Sequence, residues 1–262
     1  MLNSKLIIAI MIRYFYGWRH NLDRLSDSFY WPAMELLLWG LTTAYLKSVS
    51  PNFPQVVPVL LTGLIFWMIT WRGQYEININ LLHEIWDKNL VNMFSSPLRI
   101  REWIIAVMAL GIFKMLLTLA FAGLIAYVLF SFNIFIYGFL ILPFFASLLI
   151  AGWAAGFVVA GFIIRYGHTI QTLAWSGVFL LAPFSALYYP VSLLPNWAQL
   201  VAKFVPPSYI FEGMREVLFT GHLSYDKLII SLALDGIYLV LSILFFVFMF
   251  NQSRKLGLGR LI

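Results

Sequence analysis

Six long apolar runs constrain this chain more than any motif does. They cover residues 29–46, 56–71, 103–132, 134–164, 170–189 and 228–250. A helix that crosses a bilayer needs about 20 mostly apolar residues. Lipid offers no partner to an open backbone, so such runs are helices or strands of a closed barrel. Their length and unbroken apolarity exclude the alternating pattern of about ten residues that barrel strands show. The expected fold is an all-α membrane protein with six transmembrane helices. Composition agrees: 62% of residues are hydrophobic and 11% charged, whereas soluble domains carry roughly 25% charge. So little charge excludes an ordinary soluble enzyme, a nucleic-acid-binding module and a disordered chain. Nucleic acid is not an expected partner; membrane lipids are.

The third and fourth runs exceed what a bilayer needs, so they tilt, kink or protrude. Pro143 is the expected kink in the fourth. Gly152 and Gly156 form a GxxxG pair, with Gly161 near the same face, and close packing within the subunit is the favoured reading over a dimer seam.

Placing the amino terminus inside puts Lys5, Arg13, Arg19, Arg24, Arg72, Lys88, Arg99, Arg101, Arg165, Arg254, Lys255 and Arg260 on the cytoplasmic side. Only Lys47, Lys203, Arg215 and Lys227 then face outward. Positive residues favour the inner face, so both termini are expected in the cytoplasm. No secretory signal peptide is expected, because Arg13, Arg19 and Arg24 follow the first short apolar run without a small-residue cleavage site. Residues 1–22 carry Ile7, Met11, Tyr14 and Trp18 on one helical face with Lys5 and Arg13 on another. They read as an interfacial amphipathic helix. With no repeat or linker, residues 1–262 are expected to form a single domain.

Two stretches outside the runs are structured by their pattern. Residues 81–94 read as a short cytoplasmic helix that Ser95-Ser96-Pro97 ends. Leu82, Trp86, Leu90 and Met93 form its apolar stripe; His83, Glu84, Asp87 and Lys88 form its polar rim. A groove on a cytoplasmic partner and the lipid surface are both possible seats for it. Residues 189–227 are too apolar for a solvated loop. One helix is expected from Leu194-Pro195-Asn196 to Phe204, with Trp197, Leu200 and Val201 on its stripe. Pro206-Pro207 breaks the chain, and a second helix covers 209–219 before Gly221. Two half-length helices suggest a hairpin that re-enters from outside as a gate, or a cap lying on the surface.

The run Tyr189-Pro190-Val191-Ser192, Leu194-Pro195, Trp197, Gln199, Pro207, Tyr209, Glu212, Arg215, Leu218 and Gly221 resembles the carboxy-terminal signature of ABC-2 type exporter permeases. Pro207-Ser208 departs from it, since many members carry Leu-Thr after the proline. The stretch at 81–97 looks like that family's coupling helix, which commonly ends in Ser-Pro, as Ser96-Pro97 does here. The resemblance implies a dimer, most simply a homodimer, in a bacterial or archaeal plasma membrane. It implies cytoplasmic ABC ATPase subunits that bind ATP and Mg and engage His83, Glu84, Trp86, Asp87, Lys88 and Asn89. The hairpin at 189–221, with Tyr189, Pro190, Pro195, Trp197, Pro207, Tyr209, Glu212 and Arg215, is then the outer gate, and export is the implied direction.

No phosphate-binding GxxxxGK[ST] run occurs, so any ATP hydrolysis belongs to a separate subunit. His20, His83, His168 and His222 are scattered, and no metal, cofactor or catalytic constellation is readable. Charges inside spans are functional candidates by default. Lys114 and Asp235 sit at matching depths, roughly 19 Å from the inner side, and are expected to pair across helices. Glu35, just after Pro32, has no evident partner. These three residues support an alternative, an ion-coupled secondary transporter, against which the lack of inverted repeats counts. Aromatic residues make up 18% of the chain. Interface belts explain most of them; a path gripping a glycan or lipid-linked polymer, a lipid or a hydrophobic drug is the sharper reading.

Overall fold

The computed structural model describes residues 2–49 and 56–258, which leaves Arg260 outside the described residues. Ten α-helices follow in order among them: α1 Ser4–Arg19, α2 Leu22–Val49, α3 Val56–Trp86, α4 Leu90–Ser95, α5 Ile100–Phe130, α6 Ile141–Tyr166, α7 Leu173–Ser176, α8 Asn196–Ala202, α9 Pro206–Thr220 and α10 Tyr225–Lys255. No strand occurs among the described residues. The segments Ile100–Phe130, Ile134–Ile170 and Tyr225–Lys255 are long and apolar enough to cross a membrane. Helices α2 and α3, at 28 and 31 residues, have comparable length but carry more polar groups.

Local sequence sets the helix ends. The Asn3 side chain accepts from Lys5 N at 3.1 Å to cap α1, and Asn21 accepts from Asp23 N and Arg24 N to cap α2. Glu102 Oε2 accepts from Arg99 N at 2.9 Å, while Glu102 Oε1 takes Asn3 N at 2.9 Å and ties the start of α1 to that of α5. A carboxylate in a first helical turn satisfies donors that have no intrahelical partner. Pro206 and Pro207 occupy the first positions of α9, where a missing N–H costs nothing. Gly221 closes α9 with φ 75°, the left-handed conformation glycine adopts without strain.

Helix α3 is the centre of the bundle, packed by α2, α5 and α6; α6 also packs along α10, and α1 lies on α5. The α3–α6 approach is backbone to backbone. A Cβ on Gly152 would stand 2.3 Å from Thr70 O, and one on Gly73 3.2 Å from Gly152 Cα. Gly156 meets Gln74 Cα in the same way at 3.1 Å. The GxxxG pair therefore packs helices within the subunit, as expected. Outward, α2, α5 and α10 present large apolar side chains such as Leu38, Leu124 and Leu244, the surface a lipid solvent favours.

Four expectations change. The bend before the fourth span lies at Gly138, φ 53°, within the 3₁₀ turn Ile134–Leu140. Pro143 instead sits in the first turn of α6, where proline is tolerated.

The run at 170–189 is a succession of short turns rather than one helix: Gly167–Ile170, α7, Gly177–Leu180 and Ala182–Phe184. Side chains of α3 bond carbonyls of this run. Gln74 Nε2 donates to Leu173 O at 3.1 Å and Ala174 O at 3.0 Å, and Trp71 Nε1 donates to Trp175 O at 3.1 Å.

The stretch at 81–94 is not one helix either. Helix α3 runs on to Trp86, the chain turns through Lys88 at φ 54°, and the six-residue α4 follows. Asn89 N reaches Glu84 O at 2.9 Å across that turn. Ser96 and Pro97 follow α4 as its stop.

The two hairpin helices are unequal, with 7 residues in α8 and 15 in α9. Proline starts α9 at 206, three residues earlier than expected. Tyr238 donates to Phe204 O at 3.0 Å and Ser231 to Pro206 O at 2.8 Å. Tyr238 lies 13 residues, about 20 Å, from the start of α10. Helix α9, about 22 Å long, thus rises beside the first half of α10.

Candidate functional site

The residues singled out from sequence gather at three levels along α3. At the turn after α3, Glu84 is buried and carries three contacts. Arg13 Nη2 lies 2.8 Å from Glu84 Oε1 and 2.9 Å from Oε2, and Asn89 Nδ2 donates to Oε2 at 2.6 Å. Glu84 therefore fastens α1 and the turn to α3. His83 is half-buried, its ring 5.1 Å from that of Trp86. Trp86, Asp87 and Lys88 are exposed. The candidate coupling residues divide accordingly: Glu84 and Asn89 build the turn, while Trp86, Asp87 and Lys88 face outward. Trp86 also stacks on Trp175 at 6.3 Å.

The middle level is a buried ionic cluster. Lys114 Nζ from α5 lies 2.7 Å from Glu76 Oε2, and Arg72 Nη1 lies 3.5 Å from Glu76 Oε1. Arg72 also donates to Asp27 O of α2 at 2.8 Å, and its guanidinium lies 5.2 Å from the Trp71 ring and 5.4 Å from that of Tyr75. Tyr75 hydrogen-bonds the Asp27 carboxylate, and Asn80 donates to Glu76 O at 2.6 Å. The expected pairing of Lys114 with Asp235 is thus replaced by Lys114 with Glu76. Asp235 instead meets α6 through Ser147. Glu35 lines a cavity of about 340 Å³ with Trp31, Trp71, Tyr75, Trp175 and Phe179, which Arg72 and Asp27 join at one side.

At the far end, Glu212 and Arg215 of α9 clip the segment before α8. Glu212 Oε1 accepts from Val191 N at 2.8 Å and from Arg215 Nη1 at 3.0 Å, and Arg215 Nη2 donates to Ala186 O at 2.7 Å. Ala186 is buried with φ 54°, a conformation that costs an L-residue roughly 1–3 kcal/mol unless neighbours hold it. Tyr189 donates to Pro183 O and Tyr209 to Lys203 O, each at 2.9 Å. Pro190 and Pro195 flank the 3₁₀ turn Val191–Leu193 and the start of α8. Trp197 is exposed, its ring 6.0 Å from that of Phe184. Beyond α9, Lys227 and Ser224 hold the Glu216 carboxyl down at about 2 by donating to it.

The profile of the ABC-2 type transporter family matches residues 8–219, from α1 to the end of α9. The chain belongs to that family. No curated protein matches it. It is an integral, multi-pass ABC-2 permease, the non-catalytic membrane part of a transporter whose ATPase is a separate domain or subunit. ABC-2 permeases pair with ABC ATPase subunits, which carry the nucleotide.

Sequence reasoning missed Glu76 as the partner of Lys114 and Arg72 as the second cation on Glu76, along with the roles of Asp27, Ser147 and Ser231. A signal for the first two was present: Arg72, Glu76 and Asn80 recur every four residues, one face of a helix continuing past the second apolar run. The alternation Gln74-Tyr75-Glu76-Ile77-Asn78-Ile79-Asn80 hid it, because α3 is buried all round and its polar residues do not mark a solvent face.

Proposed function

We propose that this permease works as a dimer, most simply a homodimer, in a bacterial or archaeal plasma membrane, with six spans and both termini cytoplasmic. It exports its substrate when ATPase subunits move the turn at 83–89. The observation that carries this reading is the continuity of α3. One helix of 31 residues is unbroken over the roughly 22 Å from the cavity wall at Trp71 and Tyr75 to the exposed turn at Trp86–Lys88.

Coupling follows from that geometry. A partner pressing on Trp86, Asp87 and Lys88 acts on a helix clamped to α1 by Glu84, to α2 and α5 by Arg72 and Glu76, and to α6 by its glycines. Such an element moves as a rigid body. Its motion reaches the cavity wall through Trp71 and Tyr75, and reaches Trp175 twice, through Trp71 and through Trp86. At the other end the 189–221 hairpin forms the outer gate, with Glu212 and Arg215 fastening it to Ala186 and Val191.

The aromatic cavity with Glu35 at its edge suits an amphipathic cargo, whose apolar faces stack while hydroxyls or amines meet the carboxylate. A glycan or lipid-linked polymer, a lipid and a hydrophobic drug all fall within that class. The test is co-purification of the full chain with the ABC ATPase encoded beside it, measuring complex yield and ATP turnover. A Trp86→Ala/Asp87→Ala/Lys88→Ala variant should leave permease yield intact and weaken both readouts. Flux from the chain alone in an ion gradient, without an ATPase partner, would overturn the reading.

A further inference from the structure

Asp235 lies within α10, fully buried, at one end of a row of four oxygens. Its Oδ2 is 2.5 Å from Ser147 Oγ of α6. Ser147 Oγ is 2.8 Å from Ser231 Oγ, and Ser231 Oγ is 2.8 Å from the Pro206 carbonyl oxygen at the start of α9. Each of these contacts is a hydrogen bond and needs its own hydrogen.

The hydrogens are fixed by elimination. A carbonyl has none, so the Ser231 hydrogen goes to Pro206 O. The contact between the two serines then takes the Ser147 hydrogen. Nothing is left for the third contact unless the carboxyl supplies it. We propose that Asp235 is protonated and donates, so that the relay Asp235, Ser147, Ser231, Pro206 latches the α8–α9 turn to α6 and α10.

The surroundings agree. Asp235 Oδ1 has no hydrogen-bond partner, which suits the carbonyl oxygen of a neutral acid and is costly for a carboxylate. A helix start would normally offer N–H groups to an anion. Here the first two residues of α9 are Pro206 and Pro207, which have none to offer. The groups that share the row with Asp235 are Ser147 from α6, Ser231 from α10 and Pro206 from α9. None is charged, and among the described residues no cation pairs with Asp235. Loss of the proton would leave two hydrogens for three contacts and an uncompensated charge among them. One contact must then break: Ser147 turns its hydrogen to the carboxylate, Ser231 donates to Ser147 in turn, and the Pro206 carbonyl is released. That this release opens the outer gate rests on the reading of the hairpin given above.

The test uses the full chain in lipid nanodiscs, whose lack of cysteine permits a single reporter. Infrared spectra at neutral pH should contain an un-ionised carboxyl band that Asp235→Asn removes and Ser147→Ala shifts. Separately, Val205→Cys, buried in the α8–α9 turn, is labelled with a water-soluble maleimide from pH 6 to 9. The labelling rate relative to the same reporter carrying Asp235→Asn should rise several-fold toward the alkaline end, because the asparagine amide keeps donating at every pH. A neutral-pH spectrum unchanged by Asp235→Asn, or a labelling ratio that stays flat, overturns the proposal. If Asp235→Asn does not fold, an unshifted band in Ser147→Ala overturns it instead. Neither readout involves an ATPase, so failure of the exporter reading is seen separately, in the co-purification.

Discussion

The buried cluster on α3 makes an asymmetric prediction, because it holds two cations and one anion. At 2.7 Å the attraction between Lys114 and Glu76 is about 6 kcal/mol at an effective dielectric constant near 20. Desolvation of each ion opposes it by several kcal/mol. The pair therefore adds little net stability, while an orphaned member is expensive: removing one partner of a buried pair costs about 3–5 kcal/mol. Glu76→Gln orphans Lys114 and leaves Arg72 with the Asp27 carbonyl alone, and should cost that much. Lys114→Met leaves Arg72 and Glu76 as a neutral pair at 3.5 Å. It loses one charged hydrogen bond, about 1.5–3 kcal/mol, and is relieved of the lysine's own desolvation.

For chains of about 150–250 residues each kcal/mol shifts the melting temperature by about 2–4 °C. Glu76→Gln should then melt about 6–20 °C below wild type and Lys114→Met no more than about 5 °C below. The double variant should recover about half of the Glu76→Gln loss, since removing the lysine removes the orphan. The assay is thermal unfolding of the full chain in nanodiscs, followed by tryptophan fluorescence and by monodispersity after heating. A Glu76→Gln variant within about 2 °C of wild type, or a double variant whose losses add, would refute the reasoning.

Three further outcomes follow from single contacts. Gly152→Leu should abolish accumulation of folded protein, since even its Cβ meets Thr70 O at 2.3 Å, whereas Gly236→Ala, with nothing within 4 Å, should be neutral; size-exclusion profiles of the two distinguish a packing contact from a general intolerance of side chains. Arg215→Ala should free the Ala186 carbonyl and leave Glu212 with Val191 N alone, raising protease cleavage between 186 and 196 by severalfold; equal cleavage in wild type and variant would show that the clip does not hold the segment. The Glu216 carboxyl is held at about 2 by Lys227 and Ser224, below the unfolded value of about 4.3. Its contribution is therefore complete above about pH 4.3 and lost as pH falls toward 2, so wild type and Glu216→Gln should converge in melting temperature between pH 4.5 and 2.5.

Apolar length and breaker residues were legible because they act locally. The runs that became α2, α3, α5, α6 and α10 stand in sequence, as do the stop at Gly221 and the interruption at Ser96-Pro97. The run at 170–189 was as apolar as its neighbours and still did not become a helix. The cause is 100 residues away in sequence, in Gln74 and Trp71, whose donors take the carbonyls of residues 173 to 175. The cluster on α3 escaped for a related reason. Lys114 was paired with Asp235 by depth, but depth orders residues along a helix and says nothing of azimuth. Lys114 faces Glu76 of α3 and Asp235 faces Ser147 of α6. Glu84 was read as a surface contact for a partner, because a helix with an apolar stripe implies an exposed polar side. Burial of Glu84 against Arg13 of α1 is a tertiary fact with no local trace.

These long-range contacts share one element, and that bears on how motion is distributed. Helix α3 keeps its own backbone ladder and adds side-chain bonds to α1, α2, α5 and the 173–175 segment, along with glycine contacts to α6. The 167–189 segment has the opposite character. Three of its carbonyls accept from side chains of α3, and Ala186 sits in a strained conformation that Arg215 holds. Deforming a regular helix means breaking several of its own hydrogen bonds together, whereas a chain of short turns changes shape one turn at a time. In the coupling proposed above, a displacement of α3 at its 83–89 end is therefore carried to the cavity wall and absorbed in 167–189. That segment connects Trp175 at the cavity wall to the clip at Glu212 and Arg215. The break in the fifth run, which looks like a defect in a spanning helix, thus provides the compliant link between a rigid lever and the hairpin.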